Sequence, residues 1–220
     1  MLNIYCLSQA KMKARNFQKA VETQIKNSEL VRKKRLQIAM GASKLFIKKG
    51  YSQTSIRDIS KATGLTIGNL YDYITRKEDI LYLVFDVFHS MWTNRLEEEG
   101  IFEIEDPVKQ LKTAVQKMLE LVNAYREMVL LMYTETKLLP KEFIKIILEK
   151  EGGLVECFEK ILERGVEKGA FKVKHPFFVA NTIVYLLSIE PLRGWNLRKR
   201  HKVEEINKLI EDHIINCFVV

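Results

Sequence analysis

Apolar residues recur every three or four positions along most of this chain, and that spacing constrains the fold more than any other feature. Between residues 32 and 49, for example, Leu36, Ala39, Ala42 and Phe46 follow a helical repeat, and Gly50 then supplies a stop. No segment alternates apolar and polar residues over the length of a strand. We therefore expect an all-α protein with about nine helices, the last of them ending near residue 218.

The composition limits where such a chain works. The three cysteines are far apart and lack the spacing of a zinc site, so we expect free thiols in a reducing cytoplasm. The most apolar stretch, from Phe177 to Ile189, has polar interruptions and is shorter than the roughly 20 residues that cross a bilayer. We expect a soluble cytoplasmic protein with no membrane partner, no metal site and no cofactor.

Positive charge is concentrated at the start of the chain. Residues 1–77 contain 16 Lys and Arg against 4 Asp and Glu, whereas residues 78–220 contain 20 against 24. The net charge of +8 therefore arises in the first third alone. This distribution predicts a polyanion-binding front end on a neutral or acidic body.

Three short helices are predicted within that basic region. The stretch "TSIRDISKATG" has capping residues at Thr54 and Ser55 and ends at Gly64, and a third helix should begin at Thr66 and end near Ile74. A fourth helix should begin with a capping box formed by Thr75 and Glu78. A short second helix, a turn with glycine and a short third helix are typical of a helix-turn-helix.

The third helix has a composition that a buried helix would not need. Gly68 removes a side chain where a recognition helix must approach DNA, and Asn69 can form two hydrogen bonds with adenine. Tyr71 and Tyr73 offer hydroxyl groups to the sugar-phosphate edge. Lys77 and the N–H groups at the start of the fourth helix form a candidate phosphate site.

The run "AMGASKLFIKKGYSQTSIRDISKATGLTIGNLYDYITRKEDIL", from Ala39 to Leu81, resembles the DNA-binding domain of the tetracycline-repressor (TetR/AcrR) family of regulators. The resemblance implies a cytoplasmic bacterial or archaeal protein that binds double-stranded DNA at a palindromic operator as a homodimer. Departures at Ser60 and Ile74 concern packing. The positions that the motif implies for DNA contact are Thr54, Ser55, Arg57, Thr66, Ile67, Gly68, Asn69, Tyr71, Tyr73 and Lys77.

The resemblance also implies a domain organisation. We expect a basic N-terminal extension over residues 1–30, the helix-turn-helix domain over 31–77, and a helical ligand-binding and dimerisation domain over 78–220. Predicted helices around 154–168, 177–192 and 203–218 have wide apolar faces, and the resemblance implies that two of them pair with a partner's copies in a four-helix dimer interface. Residues 1–30 are either a partly helical arm that adds contacts to DNA phosphates or a frayed end without a role.

Several helices of the last domain are apolar around more than one face, which suits a pocket for a small apolar effector. Segments such as "GGLVECFEKILERGVEKGAF" and "GWNLRKR" resemble the branch of the family that responds to fatty acyl-CoA. The candidate cations for its phosphates are Arg193, Arg198, Lys199 and Arg200, with a solvated basic face as the competing and favoured explanation. The candidate ligand-binding residues are Met91, Trp92, Met118, Leu121, Val122, Tyr125, Met128, Met132 and Tyr133.

The leading hypothesis is a dimeric transcriptional repressor that binds an operator and is released from it by a ligand. Two other functions compete with this hypothesis. The first is a nonspecific nucleic-acid-binding architectural protein led by the basic extension, for which steep salt dependence without sequence preference is expected. The second is a helical carrier or enzyme, but the sequence has no HExxH, GxSxG, P-loop or GxGxxG motif, so no catalytic residue is proposed.

Overall fold

The computed structural model describes residues 21–218, apart from the side chains of Thr93 and Phe218. This part of the chain is helical and contains no strand. Its ten α-helices are α1 (Ser28–Lys49), α2 (Ile56–Thr63), α3 (Ile67–Tyr71), α4 (Lys77–Glu98), α5 (Pro107–Ala124), α6 (Arg126–Glu135), α7 (Lys141–Glu167), α8 (Pro176–Leu187), α9 (Ile189–Leu197) and α10 (Val203–Phe218). The prediction of an all-α protein is confirmed, and no described helix is long and apolar enough to cross a bilayer.

Three predicted boundaries differ from the structure. Residues 21–27 are irregular, and the rest of the predicted helical pattern of the extension lies outside the described residues. The third helix ends at Tyr71, because the chain turns at Asp72 before reaching Ile74. The predicted helix over 177–192 is divided at Ser188, since Pro191 lacks the N–H that a continuous helix would need there.

The chain forms two compact units. The first unit comprises residues 21–90 and 131–149, and the second comprises 91–130 and 150–218. Helices α4, α6 and α7 each contribute to both units. Helix α7 is continuous through Gly152 and Gly153.

In the first unit, α1 packs against α2 around a core that includes Ile38, Phe46 and Ile59. A Cβ atom at Gly41 would lie 2.6 Å from Cγ2 of Thr63, so the close approach of these two helices requires glycine. The segment 131–149 is joined to the same unit by Phe143, whose ring stacks on Tyr82 with 4.4 Å between centroids.

In the second unit, α5 is the central helix. It packs against α8, α9 and α10. Its buried side chains recur at helical spacing and are Leu111, Ala114, Val115, Met118, Leu119 and Val122. Asp106 caps this helix by accepting a hydrogen bond from the backbone N–H of Lys109, and Pro107 occupies its first turn, as predicted.

Candidate nucleic-acid interface

The turn between α2 and α3 is fixed by local hydrogen bonds. Ser55 caps α2 by accepting from the N–H of Asp58, whose carboxylate accepts in return from the N–H of Ser55. Gly64 then adopts a left-handed conformation with φ of 69°, which favours glycine. The hydroxyl of Ser60 donates to the carbonyl of Leu65 at 2.6 Å. Ser60, one of the two departures from the family's motif, therefore stabilises the turn.

Helix α3 is capped by Thr66, one position before its first helical residue, and presents an open face. Thr66 caps it by accepting from the N–H of Asn69 at 3.1 Å. Ile67, Gly68 and Asn69 are exposed, whereas Leu70 is fully buried and holds the helix to the unit. Since this open face is at the N-terminal end, it has the position from which recognition helices contact base edges.

The side chain of Asn69 is held in place by its two neighbours. The hydroxyl of Thr66 donates to Oδ1 of Asn69 at 2.9 Å, and Nδ2 of Asn69 donates to Oδ2 of Asp72 at 3.4 Å. The carboxylate of Asp72 therefore contributes to orienting the amide of Asn69. The amide is pre-organised in an exposed position, which lowers the entropy cost of ordering it on a base.

Gly68 has no structural explanation within its own unit. Its φ lies outside the left-handed region, and an added Cβ would meet only Oγ1 of Thr66, at 3.9 Å. Gly41 and Gly64 are each required by the fold, but Gly68 is not. A missing side chain on an exposed helix is consistent with a surface that another molecule must approach closely.

Two of the predicted contact residues are buried. Thr54 donates its hydroxyl to the carbonyl of Gly50 at 2.8 Å, and Tyr73 is only 7% exposed. Tyr71, by contrast, is 50% exposed. The structure thus gives Thr54 and Tyr73 packing roles, and DNA contact by either residue remains a prediction.

The start of α4 differs from the prediction. Asp79, not Glu78, accepts from the backbone N–H groups of Thr75 and Arg76, at 2.7 and 3.0 Å. Those two N–H groups are thus occupied by a buried carboxylate and are not open to a phosphate. Lys77 donates to the carbonyl of Tyr51 at 2.6 Å and lies over its ring, and burial lowers the pKa of its ammonium group.

Three exposed cations of the first unit, Arg57, Lys61 and Arg76, flank the open face in sequence. Arg57 and Lys61 are exposed on α2 and form no ion pair within residues 21–218. Arg76 follows α3 but pairs with Glu142 at 2.8 Å and with Asp79 at 3.5 Å. Arg57 is one of the predicted DNA contacts, and its guanidinium group forms no ion pair or hydrogen bond with the described residues.

The candidate ligand-binding residues are divided between the two units. Met91, Trp92, Met118, Leu121, Val122, Tyr125 and Met128 belong to the second unit, and Met132 and Tyr133 belong to the first. Trp92, Met118, Val122 and Met128 are buried, whereas Tyr125 and Tyr133 are exposed. Ligand binding by this set remains a prediction.

The sequence analysis did not single out Glu190, which is fully buried in the second unit. Arg198 donates its Nε to Oε1 of Glu190 at 2.6 Å, and Nε of Arg126 lies 3.7 Å from Oε2. Within the "GWNLRKR" segment Arg198 is therefore paired and Lys199 lies over the ring of Trp195, as does Arg193, which directly precedes the segment. A buried carboxylate has no periodic signal in a sequence, so only packing reveals it.

Large apolar side chains also remain exposed on the late helices of the second unit. Phe178 and Tyr185, seven positions apart on one face of α8, are 71% and 54% exposed. Trp195 on α9 is 67% exposed, and Leu209 on α10 is 50% exposed. These four side chains are the candidates for an association surface on the second unit.

Two family models match the chain. Residues 38–82, from within α1 to the start of α4, match the model for bacterial regulatory proteins of the tetR family. Residues 105–189 match the model for the tetracyclin repressor-like C-terminal domain. The chain belongs to the TetR family. Its α2–turn–α3 segment is the family's helix-turn-helix, and helices α5 to α8 lie within the match to the family's C-terminal domain.

Named relatives of this TetR-family chain are regulators. It is 26% identical over 190 residues to the HTH-type transcriptional regulator HbdR of Aromatoleum sp. (strain CIB), covering 84% of this chain and 81% of HbdR. It is 25% identical over 182 residues to the fatty acid metabolism regulator protein of Bacillus subtilis (strain 168), covering 82% and 93% of the two chains.

The fold is also found in solved structures. AibR, crystallised with isovaleryl coenzyme A and operator DNA, superposes with a TM-score of 0.69 at 19% identity, covering 81% of this chain and 96% of AibR. At this identity the similarity supports the fold alone.

Proposed function

We propose that this protein is a homodimeric transcriptional repressor of the cytoplasm that binds a palindromic operator through α3 and leaves it when an acyl-CoA binds the second unit. The observation that carries the proposal is the open N-terminal face of α3, where Ile67, Gly68 and Asn69 are exposed on a unit rich in cations. A capped, rigid helix with no structural use for its exposed residues is suited to base contact. We assign the protein no catalytic role.

The exposed apolar residues of α8, α9 and α10 support dimerisation. Burying Phe178 and Tyr185 against a second copy would remove large aromatic surfaces from water, worth about 25 cal/mol per Å² of apolar area. A two-fold dimer presents two copies of α3, which then read half-sites about 34–36 Å apart or a multiple of that distance. A symmetric protein of this kind requires a palindromic site.

An acyl-CoA is the effector that the chemistry of the second unit favours. Met118, Met128 and Trp92 supply adaptable apolar surface for an acyl chain, and Arg200 with Arg193 supplies exposed cations for phosphates. The Bacillus subtilis relative regulates fatty acid metabolism, and AibR was crystallised with isovaleryl coenzyme A. Release requires only that the ligand bind the DNA-free arrangement more tightly than the DNA-bound one.

The test is fluorescence anisotropy with a labelled duplex from the region upstream of the protein's own gene. We expect binding that persists in excess nonspecific DNA at physiological salt. Footprinting of the same duplex should show a palindrome at the centre of the region that the protein protects. A nonspecific architectural protein would show no such preference. If excess nonspecific DNA displaces all of the labelled duplex from the protein, the repressor proposal is wrong.

The effector is tested by titrating acyl-CoA thioesters of increasing chain length into the preformed complex. We expect at least one thioester to dissociate the complex, while free coenzyme A and the matching free fatty acid do not. If none of the thioesters weakens binding, the acyl-CoA assignment is wrong even though the operator assignment stands.

A further inference from the structure

Helix α3 is too short to hold its own orientation. It has five residues, of which Leu70 is buried, whereas isolated helices shorter than about 12–15 residues are marginal in water. Leu70 holds the middle of the helix to the first unit. The position of its C-terminal end therefore depends on contacts with other segments of that unit.

The residues that precede α1 are attached to this end of α3. Residues 21–27, here called the strap, form no helix, yet Val21 is only 3% exposed. The hydroxyl of Thr23 accepts a hydrogen bond from the N–H of Ile25 at 3.2 Å and donates one to the backbone carbonyl of Asp72 at 2.7 Å. Asp72 directly follows α3 and lies 49 positions from Thr23, so the bond joins two distant parts of the chain.

A buried arginine on α1 joins the same two segments a second time. Arg35 is 6% exposed, and its Nη2 donates to the carbonyls of Val21 and Glu22 at 2.6 and 3.3 Å. Its Nε donates to the carbonyl of Tyr73 at 3.1 Å. Hydrogen bonds from a charged donor are among the stronger ones in proteins, and the fork of a guanidinium group can reach two segments at once. One side chain therefore fixes both the strap and the chain after α3.

From Asp72 the hydrogen bonds continue to the exposed face of α3. The carbonyl of Asp72 accepts from the strap, and its carboxylate accepts from Nδ2 of Asn69 at 3.4 Å. Asn69 is exposed and is the candidate base contact of the helix. Thr23, Asp72 and Asn69 thus form a chain of contacts from the strap to the amide group that is proposed to read a base.

Hydrogen bonds, more than continuous packing, hold the strap to this end of α3. A cleft of about 860 Å³ is lined by Thr23 and Ile25 of the strap and by Tyr71 and Ile74 of the segment that it joins. Because residues of both segments line this open space, their attachment depends strongly on the bonds made by Thr23 and Arg35.

We propose that the strap and Arg35 position Asp72, and through it the amide of Asn69, and thereby set how well the protein discriminates between DNA sequences. Thr23 and Arg35 both precede residues 38–82, so they lie outside the segment that matches the family's DNA-binding model. The inference rests on the proposed DNA-binding function and adds positioning residues to it. A side chain that is already held in its binding rotamer loses less entropy on contact with a base, which favours the cognate sequence.

The experiment is a double-mutant cycle on the full-length chain, with anisotropy measured on the upstream duplex and on a random duplex. The variants are Thr23→Val, Asn69→Ala and the combination of the two. Thr23→Val removes the hydroxyl group with little change in shape, and Thr23→Ser restores it. Arg35→Lys keeps the charge but removes the fork. The matched control is Thr113→Val, which removes a hydroxyl group that donates to the carbonyl of Lys109 at 2.8 Å in the second unit.

We expect Thr23→Val to lower the ratio of upstream to random affinity by about two- to tenfold, the range that the net contribution of one hydrogen bond allows. Arg35→Lys should lower the ratio at least as much. Affinity for the random duplex should not change, because phosphate contacts dominate it. Thr23→Ser and Thr113→Val should keep the ratio of the unmodified protein, and Thr23→Val should lower it no further once Asn69 is alanine. Circular dichroism checks that each variant is folded, and Thr23→Val decides the test if Arg35→Lys does not fold.

Three results would overturn the proposal. An unchanged ratio in Thr23→Val would show that the strap does not act on specificity, while the repressor function would stand. An equal loss of affinity for both duplexes, or an equal effect of Thr23→Val with and without Asn69, would assign the strap a role in stability alone. Absence of specific binding by the unmodified protein would reject this inference together with the proposed function.

Discussion

At the scale of single residues, the exposed end of α3 differs from the rest of the protein surface in how its side chains are held. Asn69 receives a hydrogen bond from Thr66 and donates one to Asp72, so its amide is oriented without being buried. The sequence predicted Thr66, Asn69 and the open face, because capping and composition are local signals. It did not predict the role of Asp72, because that depends on which rotamer brings the carboxylate to Asn69.

We expect Asn69→Ala to weaken binding to the cognate operator by about 1–3 kcal/mol, because a paired amide discriminates its base by about that amount. Binding to random duplex should change little. Isothermal titration or anisotropy with both duplexes measures the difference, and Asn196→Ala on exposed α9 is the matched control. A uniform loss on both duplexes would assign Asn69 to the phosphate backbone instead.

At the scale of elements, most helices could be predicted from apolar spacing, and the errors arose where one residue overrides the pattern. Pro191 divides the predicted helix over 177–192 at Ser188, although the apolar repeat continues through it. At the start of α4, Asp79 has the capping role that was predicted for Glu78. Asp79 is the buried one of the two residues, and residue spacing does not reveal burial. The division of α4 and α7 between two units depends on tertiary packing and had no signal in the sequence.

Helix α2 should have a stability that depends on pH through Asp58. The ammonium group of Lys49, 2.8 Å away, and the N–H and hydroxyl of Ser55 hold the pKa of Asp58 well below its ordinary value of 3.8. A carboxyl group with a lowered folded-state pKa stabilises the protein above its unfolded pKa, and that contribution is lost as the pH falls toward the folded value.

Asp58→Asn should therefore lower the free energy of unfolding at about pH 6, and the difference from the unmodified protein should shrink as the pH falls below about 4. Urea denaturation at both pH values measures it. Asp212→Asn is the control, since Asp212 is exposed and forms no ion pair within residues 21–218. A difference that is constant across this pH range would show that the charge of Asp58 does not stabilise α2.

At the scale of the whole molecule, the protein combines a unit that contains the family's helix-turn-helix with a unit for which we propose association with a second copy. The family and its all-α fold were predictable from the Ala39–Leu81 run, because many spaced positions of one motif agree there. The sequence predicted that two of the late helices form the association surface, but it did not indicate which two. Exposure of Phe178, Tyr185, Trp195 and Leu209 then indicates α8 to α10 as its location.

Phe178→Asp should convert the dimer to a monomer, because a carboxylate would be buried without a partner at the interface. Native mass spectrometry or analytical ultracentrifugation gives the mass, and operator affinity should fall at least about tenfold as the two half-sites are no longer bound together. Leu148→Asp, at another exposed apolar position of a different unit, is the control. A dimer that persists in Phe178→Asp would place the interface elsewhere.

The central claim is that the open face of α3 is adapted to DNA and not to the fold, and Gly68 tests it most directly. In the free protein a Cβ at this position meets nothing closer than 3.9 Å, whereas Gly64 has the left-handed φ of 69°. Unfolding and operator binding should therefore be measured for Gly68→Ala and Gly64→Ala. We predict that Gly68→Ala raises the free energy of unfolding by up to about 1 kcal/mol and weakens operator binding, whereas Gly64→Ala lowers the free energy of unfolding by about 1–2 kcal/mol. Operator binding by Gly68→Ala that equals that of the unmodified protein would contradict the account.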